Sequence, residues 1–263
     1  MVKKEELLER GTGLLFQGKA EEAEKLLRRE LEEHGSDPDV LALLGRVLQE
    51  RKKLREAEDG YRAALREDGG HAGAARGLAS ILAATGRADE AVVLLRNLVE
   101  KGKGDAAVWR DLGIALCRKA AETEDLEERR RFYAEGGEAL ERALALGGWD
   151  AATVLSLAGS LAAREERGKT LALLEGALSK IEEPLADRLR ILGDLLLYQV
   201  MWDRFGEAEK TARTLAREGA AEPVLLRRVA TDLARQARAM ALSSPEWKKR
   251  AARLADLLEG MVQ

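Results

Sequence analysis

His34, His71 and Cys117 have the widest chemical range in this chain: two imidazoles that carry protons or ligate metals, and one thiol. Their placement gives them nothing to do together. His34 precedes Gly35-Ser36-Asp37-Pro38 and His71 follows Gly69-Gly70, so both fall at turns, and no cysteine cluster accompanies them as a zinc site requires. Cys117 has no histidine near it in sequence and reads as a small apolar packing residue. Gly11-Thr12-Gly13 follows no strand, and no glycine-rich run ends in Lys-Ser or Lys-Thr, so the phosphate-binding fingerprints lack their context. No metal, no cofactor and no convergent catalytic set is expected, and the chain reads as non-enzymatic. What remains is arginine, whose planar guanidinium engages carboxylates through forked hydrogen bonds. Runs such as Arg129-Arg130-Arg131 read as solvated helix faces.

The elements that must position these side chains recur with a fixed period. Ala23 lies in Gly-Lys-Ala-Glu-Glu-Ala, Ala57 in Lys-Lys-Leu-Arg-Glu-Ala and Ala91 in Gly-Arg-Ala-Asp-Glu-Ala, at intervals of 34 residues; Ala143 and Ala177 are again 34 apart. A period of this size marks stacked supersecondary units, none able to bury its apolar face alone. Within each unit the apolar residues recur at three and four. Leu41, Leu44, Gly45 and Leu48 precede Ala57, Tyr61, Ala64 and Leu65; Leu78, Ala79 and Leu82 precede Ala91, Leu94, Leu95 and Leu98. Each unit is therefore expected to be a helix–turn–helix. Apolar residues make up 46% of the chain but aromatics only 4%, so leucine and alanine must supply most of the seam.

At these residues the chain closely resembles the tetratricopeptide repeat. In that family a bulky residue, a Leu-Gly or Leu-Ala pair and a second bulky residue mark the first helix, and alanine, an aromatic or leucine, and alanine mark the second. Trp109, Leu112, Gly113 and Leu116 reproduce the first pattern, and Ala57, Tyr61 and Ala64 the second. The family's closing proline is not at its customary place. The resemblance implies an all-α, right-handed superhelical solenoid of about seven antiparallel helix–turn–helix repeats over residues 1–263. The hairpins run roughly 4–36, 37–69, 70–103, 104–147, 148–181, 185–219 and 222–260.

The later units depart from the simple period. In the fourth, Gly136, Leu140 and Ala143 arrive 11 residues late. Eleven residues make about three helical turns, so both helices can lengthen without rotating their apolar faces. Asp125 with Glu128 reads as a capping box; a solvated loop over residues 122–131 is the competing reading. Gly136-Gly137 implies either a kink or a neighbour's close approach. Glu182-Glu183-Pro184 separates the fifth unit from the sixth. Ser244 reads as a cap with Pro245 in the first helical position, opening a final helix with Ala251, Leu254, Ala255 and Leu258 on one face.

In the proteins this chain resembles, the first helices line a concave groove that holds peptides or partner helices. The resemblance places Arg46, Gln49, Arg76, Ser80, Arg110, Cys117, Arg118, Arg227 and Arg235 on that inner surface, with Leu155, Gly159 and Ala162 from the fifth hairpin. The implied function is a protein-interaction scaffold whose partner is a protein or peptide, with an acidic segment favoured by the recurring arginines. Two alternatives stay open: these arginines pair with neighbouring acids, or the chain is a self-assembling structural protein, a homo-oligomer built through its end faces or long fourth hairpin. Co-chaperone members grip a terminal carboxylate with lysine, arginine and asparagine on first helices. Asn97, the only asparagine here, falls in a second helix, so heat-shock chaperone tails are not expected as ligands. A net charge of −3 and scarce aromatics argue against nucleic acid. The charged amino terminus and the lack of a long apolar run argue against a signal peptide or membrane span. With a single cysteine, a cytoplasmic location is expected.

Overall fold

The computed structural model describes residues 4–241 and 245–262. Among them are fourteen α-helices and no strand. They pair as α1 (Lys4–Phe16) with α2 (Ala20–His34), α3 (Pro38–Glu50) with α4 (Leu54–Glu67), and α5 (Ala72–Ala84) with α6 (Ala88–Glu100); α7 (Ala106–Glu122) and α8 (Leu126–Ala145) come next in the chain. Then follow α9 (Ala151–Ala163) with α10 (Arg167–Leu178), α11 (Leu185–Met201) with α12 (Phe205–Gly219), and α13 (Pro223–Ala241) with α14 (Pro245–Val262). The chain divides into two compact units, Met1–Phe132 and Tyr133–Gln263, the division falling within α8.

The periodic alanines are where helices press together. Ala23, Ala57, Ala91, Ala143 and Ala177 are all 0% exposed, and Leu44 and Leu78 are buried beside them. In the fourth hairpin the extra residues are helix: α7 has 17 residues and α8 has 20, against 13 in α3 and α5. Asp125 Oδ1 accepts from the Glu128 amide at 2.8 Å, the cap expected of a helix start rather than a loop. Gly136 and Gly137 are both buried, and Gly137 serves close approach: a Cβ there would lie 3.0 Å from Ser160 Oγ. At the carboxy-terminal end Leu254 and Leu258 are buried as expected, Ala255 is exposed, and Ser244 and the Ala251 side chain lie outside the described residues.

Two local devices repeat with the 34-residue period. First helices open on a capping side chain: Asp37 accepts from the amides of Asp39 and Val40, His71 Nδ1 from Ala74, and Asp105 from Val108. Asp150 caps α9 in the same way. His71 is thus a structural cap, and with Nδ1 accepting, its Nε2 donates to Asp39 Oδ1 at 3.0 Å. Five of the turns between a first and a second helix hold one left-handed residue: Gly18, Lys52 and Gly86 with φ of 73°, 63° and 76°, then Glu165 at 62° and Asp203 at 60°. Glycine suits this conformation because it has no Cβ to meet the following carbonyl. Lys52→Gly is therefore expected to raise the urea midpoint, a gain of roughly 0.5–1 kcal/mol; a lowered midpoint would show that the turn gains more from a stiff unfolded chain than it loses to strain.

In the first unit α1 packs on α3, α3 on α5 and α5 on α7, whereas no such close backbone approach joins α2 to α4 or α4 to α6 among the described residues. First helices therefore form the inner row, and the splayed second helices are bridged by long side chains. Glu24, 6% exposed, receives Arg28, Arg51 and Lys53; one period later Glu58 receives Arg62 and Arg87. Glu24 and Glu58 are thus inter-repeat clamps, a role that their place in the sequence does not signal. Burial alone pushes the Glu24 carboxyl up, but Lys53 and Arg51 outweigh it and hold the group below the ordinary glutamate range. A depressed folded-state value contributes stability above the unfolded value, about pH 4.3, that is lost as pH falls through the folded one. Glu24→Gln should accordingly lower stability at pH 7 and flatten the acid limb. Urea midpoints at pH 7 and pH 3 test this; a limb as steep as in the parent chain would assign the acid sensitivity elsewhere.

Candidate functional site

Residues three and four apart on α3, α5 and α7 share one face of each helix, and in the first unit those faces meet in a cleft of about 610 Å³. From α3 come Arg46, Gln49 and Glu50; from α5, Gly73, Arg76, Gly77 and Ser80; from α7, Arg110, Asp111, Ile114 and Arg118. Tyr61 reaches in from α4. Six of the nine residues proposed for the groove thus line a single cavity. Cys117 is half-buried on α7 and is not among its lining residues. Arg227 and Arg235 stand exposed on α13 in the second unit, Arg235 paired with Asp232 at 2.6 Å.

The electrostatics of the cleft turn on Asp111. Arg76 Nε donates to its Oδ2 at 2.6 Å and Arg110 Nε to its Oδ1 at 3.1 Å, so one carboxylate holds two guanidiniums in half-buried surroundings. Arg46 and Arg118 differ. Both are exposed and neither has an ion pair among the described residues; Arg46 lies 6.0 Å over the ring of Phe16. Arg76 and Arg110 thus share one internal carboxylate, and Arg46 and Arg118 face solvent. Four arginines stand against Glu50 and Asp111, leaving the cleft positive.

Tyr61 forms part of the cleft wall. Its ring is 3% exposed and lies between two glycines: a Cβ on Gly45 would be 2.8 Å from Cδ1, and one on Gly77 would be 2.2 Å from Cζ. Its hydroxyl donates to Gln49 Oε1 at 3.1 Å. Burial pushes the phenol up to about 12, with Arg46 drawing it down and Glu50 pushing it further up. The hydroxyl accordingly stays a neutral hydrogen-bonding group. Sequence reasoning missed Asp111. Its signal was the repeat register, because Asp111 stands 34 residues after Gly77 at a position that faces the preceding hairpin.

No group of three or more metal-ligating side chains occurs among the described residues, and none of their helices is long and apolar enough to cross a membrane.

Comparison with known proteins places this geometry. A tetratricopeptide-repeat model matches residues 48–112, from the end of α3 into α7. No curated protein matches the sequence. The chain is similar in fold to Pseudomonas aeruginosa PilF, at 20% identity and a TM-score of 0.61, covering 86% of this chain and 96% of that one. It is similar to PilW, a widely conserved type IV pilus biogenesis factor, at 13% identity and a TM-score of 0.61 over 92% and 96%. MamA of Desulfovibrio magneticus RS-1 aligns at 18% identity and a TM-score of 0.54, over 68% of this chain and 96% of that one.

Proposed function

With residues 48–112 identified as tetratricopeptide repeats, and tetratricopeptide proteins acting generally in protein–protein interaction, we propose that this chain is a non-enzymatic scaffold that holds an acidic partner segment in the cleft of its first unit. The observation that carries the reading is the unequal state of the arginines. Asp111 fixes Arg76 and Arg110 in place, while Arg46 and Arg118 on the same cleft have no ion pair among the described residues. A carboxylate-bearing segment would meet both outer arginines, with Ser80 between them as a hydroxyl donor. Because the cleft is already formed by packed helices, little reordering is needed on binding.

Fluorescence anisotropy with a labelled hexaglutamate peptide tests the reading directly. Binding should be saturable and should weaken as salt rises, since exposed charge pairs are screened. Insensitivity to salt, or equal binding of a hexaglutamine control, would overturn it. Light scattering over the same concentration range distinguishes a scaffold that binds as a single chain from one that self-assembles.

A further inference from the structure

The left-handed turn residues provide a ruler for comparing the two units. Counting back nine from Gly86, Glu165 and Asp203 gives Gly77, Ser156 and Asp194; counting back six from Lys52, Gly86 and Glu165 gives Arg46, Ser80 and Gly159. In the first unit Arg46 and Ser80 form the arginine cleft with Gly77 between the packed helices. At the matching places between α9 and α11, which also pack together, the second unit has Gly159 and Asp194. At the places that match the basic cleft, the second unit thus carries a glycine on α9 and a carboxylate on α11.

That carboxylate has no counter-ion among the described residues. A Cβ on Gly159 would meet nothing within 4 Å, so open space lies above it. Asp194 is half-buried and has no hydrogen bond or ion pair among the described residues; Arg190, one turn earlier, attracts it through space but forms its ion pair with Asp187, at 3.7 Å. Burial pushes the Asp194 carboxyl up to about 6, Arg190 offsetting only part of this. One turn later on the same face stands Tyr198, stacked on Trp202 with ring centroids 5.1 Å apart and planes at 19°. Burial raises the Tyr198 phenol, and Asp194 and Tyr133 raise it further. A half-buried carboxylate without a partner is costly, and a cation removes that cost. Aromatic faces add attraction for the same charge. A divalent metal is disfavoured, because one carboxylate supplies too few oxygen ligands.

We propose that this corner of the second unit receives the cationic side chain of a lysine or arginine presented by a polypeptide partner, with Asp194 as counter-ion and Tyr198 as the aromatic wall. The site is independent of the arginine cleft and opposite to it in charge preference.

The test uses the full chain with carbon-13-labelled aspartate and follows the Asp194 carboxyl resonance at pH 7. n-Butylammonium should shift it saturably and n-pentanol, its neutral counterpart in size, should not. Asp194→Asn, followed by the amide resonances of Tyr198 and Trp202, should weaken binding by about tenfold or more. Its thermal midpoint should stay equal or rise, because it removes an uncompensated charge, so lost binding cannot be ascribed to unfolding. Tyr198→Phe should retain binding and Tyr198→Leu should weaken it. Nα-acetyl-lysine N-methylamide should bind at least as tightly as butylammonium; weaker binding would assign the site to free amines instead of a polypeptide. Equal responses to butylammonium and pentanol, no saturable shift, or unchanged affinity in Asp194→Asn would each overturn the proposal.

Discussion

Alanine at position 77 is expected to cost the protein about 1–3 kcal/mol, an unusually large effect for adding one methyl group to a helix. On intrinsic propensity the change should stabilise α5, since alanine exceeds glycine by roughly 1 kcal/mol within a helix. Packing reverses the sign. The new Cβ would lie 2.2 Å from Tyr61 Cζ, 2.5 Å from Cε1 and 2.6 Å from the hydroxyl oxygen. Those are ring atoms, not the end of a flexible chain, and the ring has nowhere to retreat. On its other face Gly45 holds it as closely, and Gln49 anchors the hydroxyl. Tyr61→Ala should cost more, on the order of 3–5 kcal/mol, because it empties a buried aromatic volume between two helices. The double substitution supplies the diagnostic. With the ring gone, the alanine methyl enters vacated space, so Tyr61→Ala and Gly77→Ala together should cost less than the sum by about 0.5–3 kcal/mol. Urea denaturation followed by circular dichroism reads all three variants. Strict additivity would show that the glycine is there for a reason other than the ring.

That pair shows how far the sequence could be read. Ala57, Tyr61 and Ala64 fall at helical spacing, so the buried face of α4 was legible before any coordinates, but the seat of the ring between Gly45 and Gly77 was not. The hairpin order, the helical nature of the fourth-hairpin insertion and the small-residue contact at Gly137 were legible for the same reason: each follows from a local period. The clamps at Glu24 and Glu58 were not. Glu24 joins Lys53 and Glu58 joins Arg87, each 29 residues apart, and nothing in a charged run says which charges reach across to the next hairpin. Their common period is visible only once one such pair is known. Asp111 was hidden differently. Adjacent to Arg110, it reads as one more charge on a helix, and only the curvature of the inner row brings Arg76 onto its other oxygen. Asp194 escaped because its register mark, the left-handed Asp203, is not a glycine that the sequence would flag.

Reversing Arg46 and Arg118 to glutamate together should reduce hexaglutamate affinity by about tenfold or more while leaving the helical content and urea midpoint nearly unchanged. Each exposed pair contributes only ~0.2–1 kcal/mol. Reversal replaces attraction by repulsion at both positions, so its effect on binding exceeds that of simple removal. Stability should hold because neither side chain has an ion pair among the described residues and both are exposed. The same reversal at Arg76 and Arg110 should behave differently. There it would set three carboxylates around the half-buried position of Asp111, and leaving that group without its cations should destabilise the first unit. Lost binding in that variant would therefore say nothing about recognition. Asp111→Asn completes the set: it removes the internal anion that competes for Arg76 and Arg110, so hexaglutamate should bind more tightly and with a steeper salt dependence. If Arg46→Glu with Arg118→Glu binds as the parent does, the cleft is not the working surface. If Asp111→Asn weakens binding instead, its carboxylate is needed to hold the two inner arginines in place, and recognition runs through Arg76 and Arg110 rather than around them.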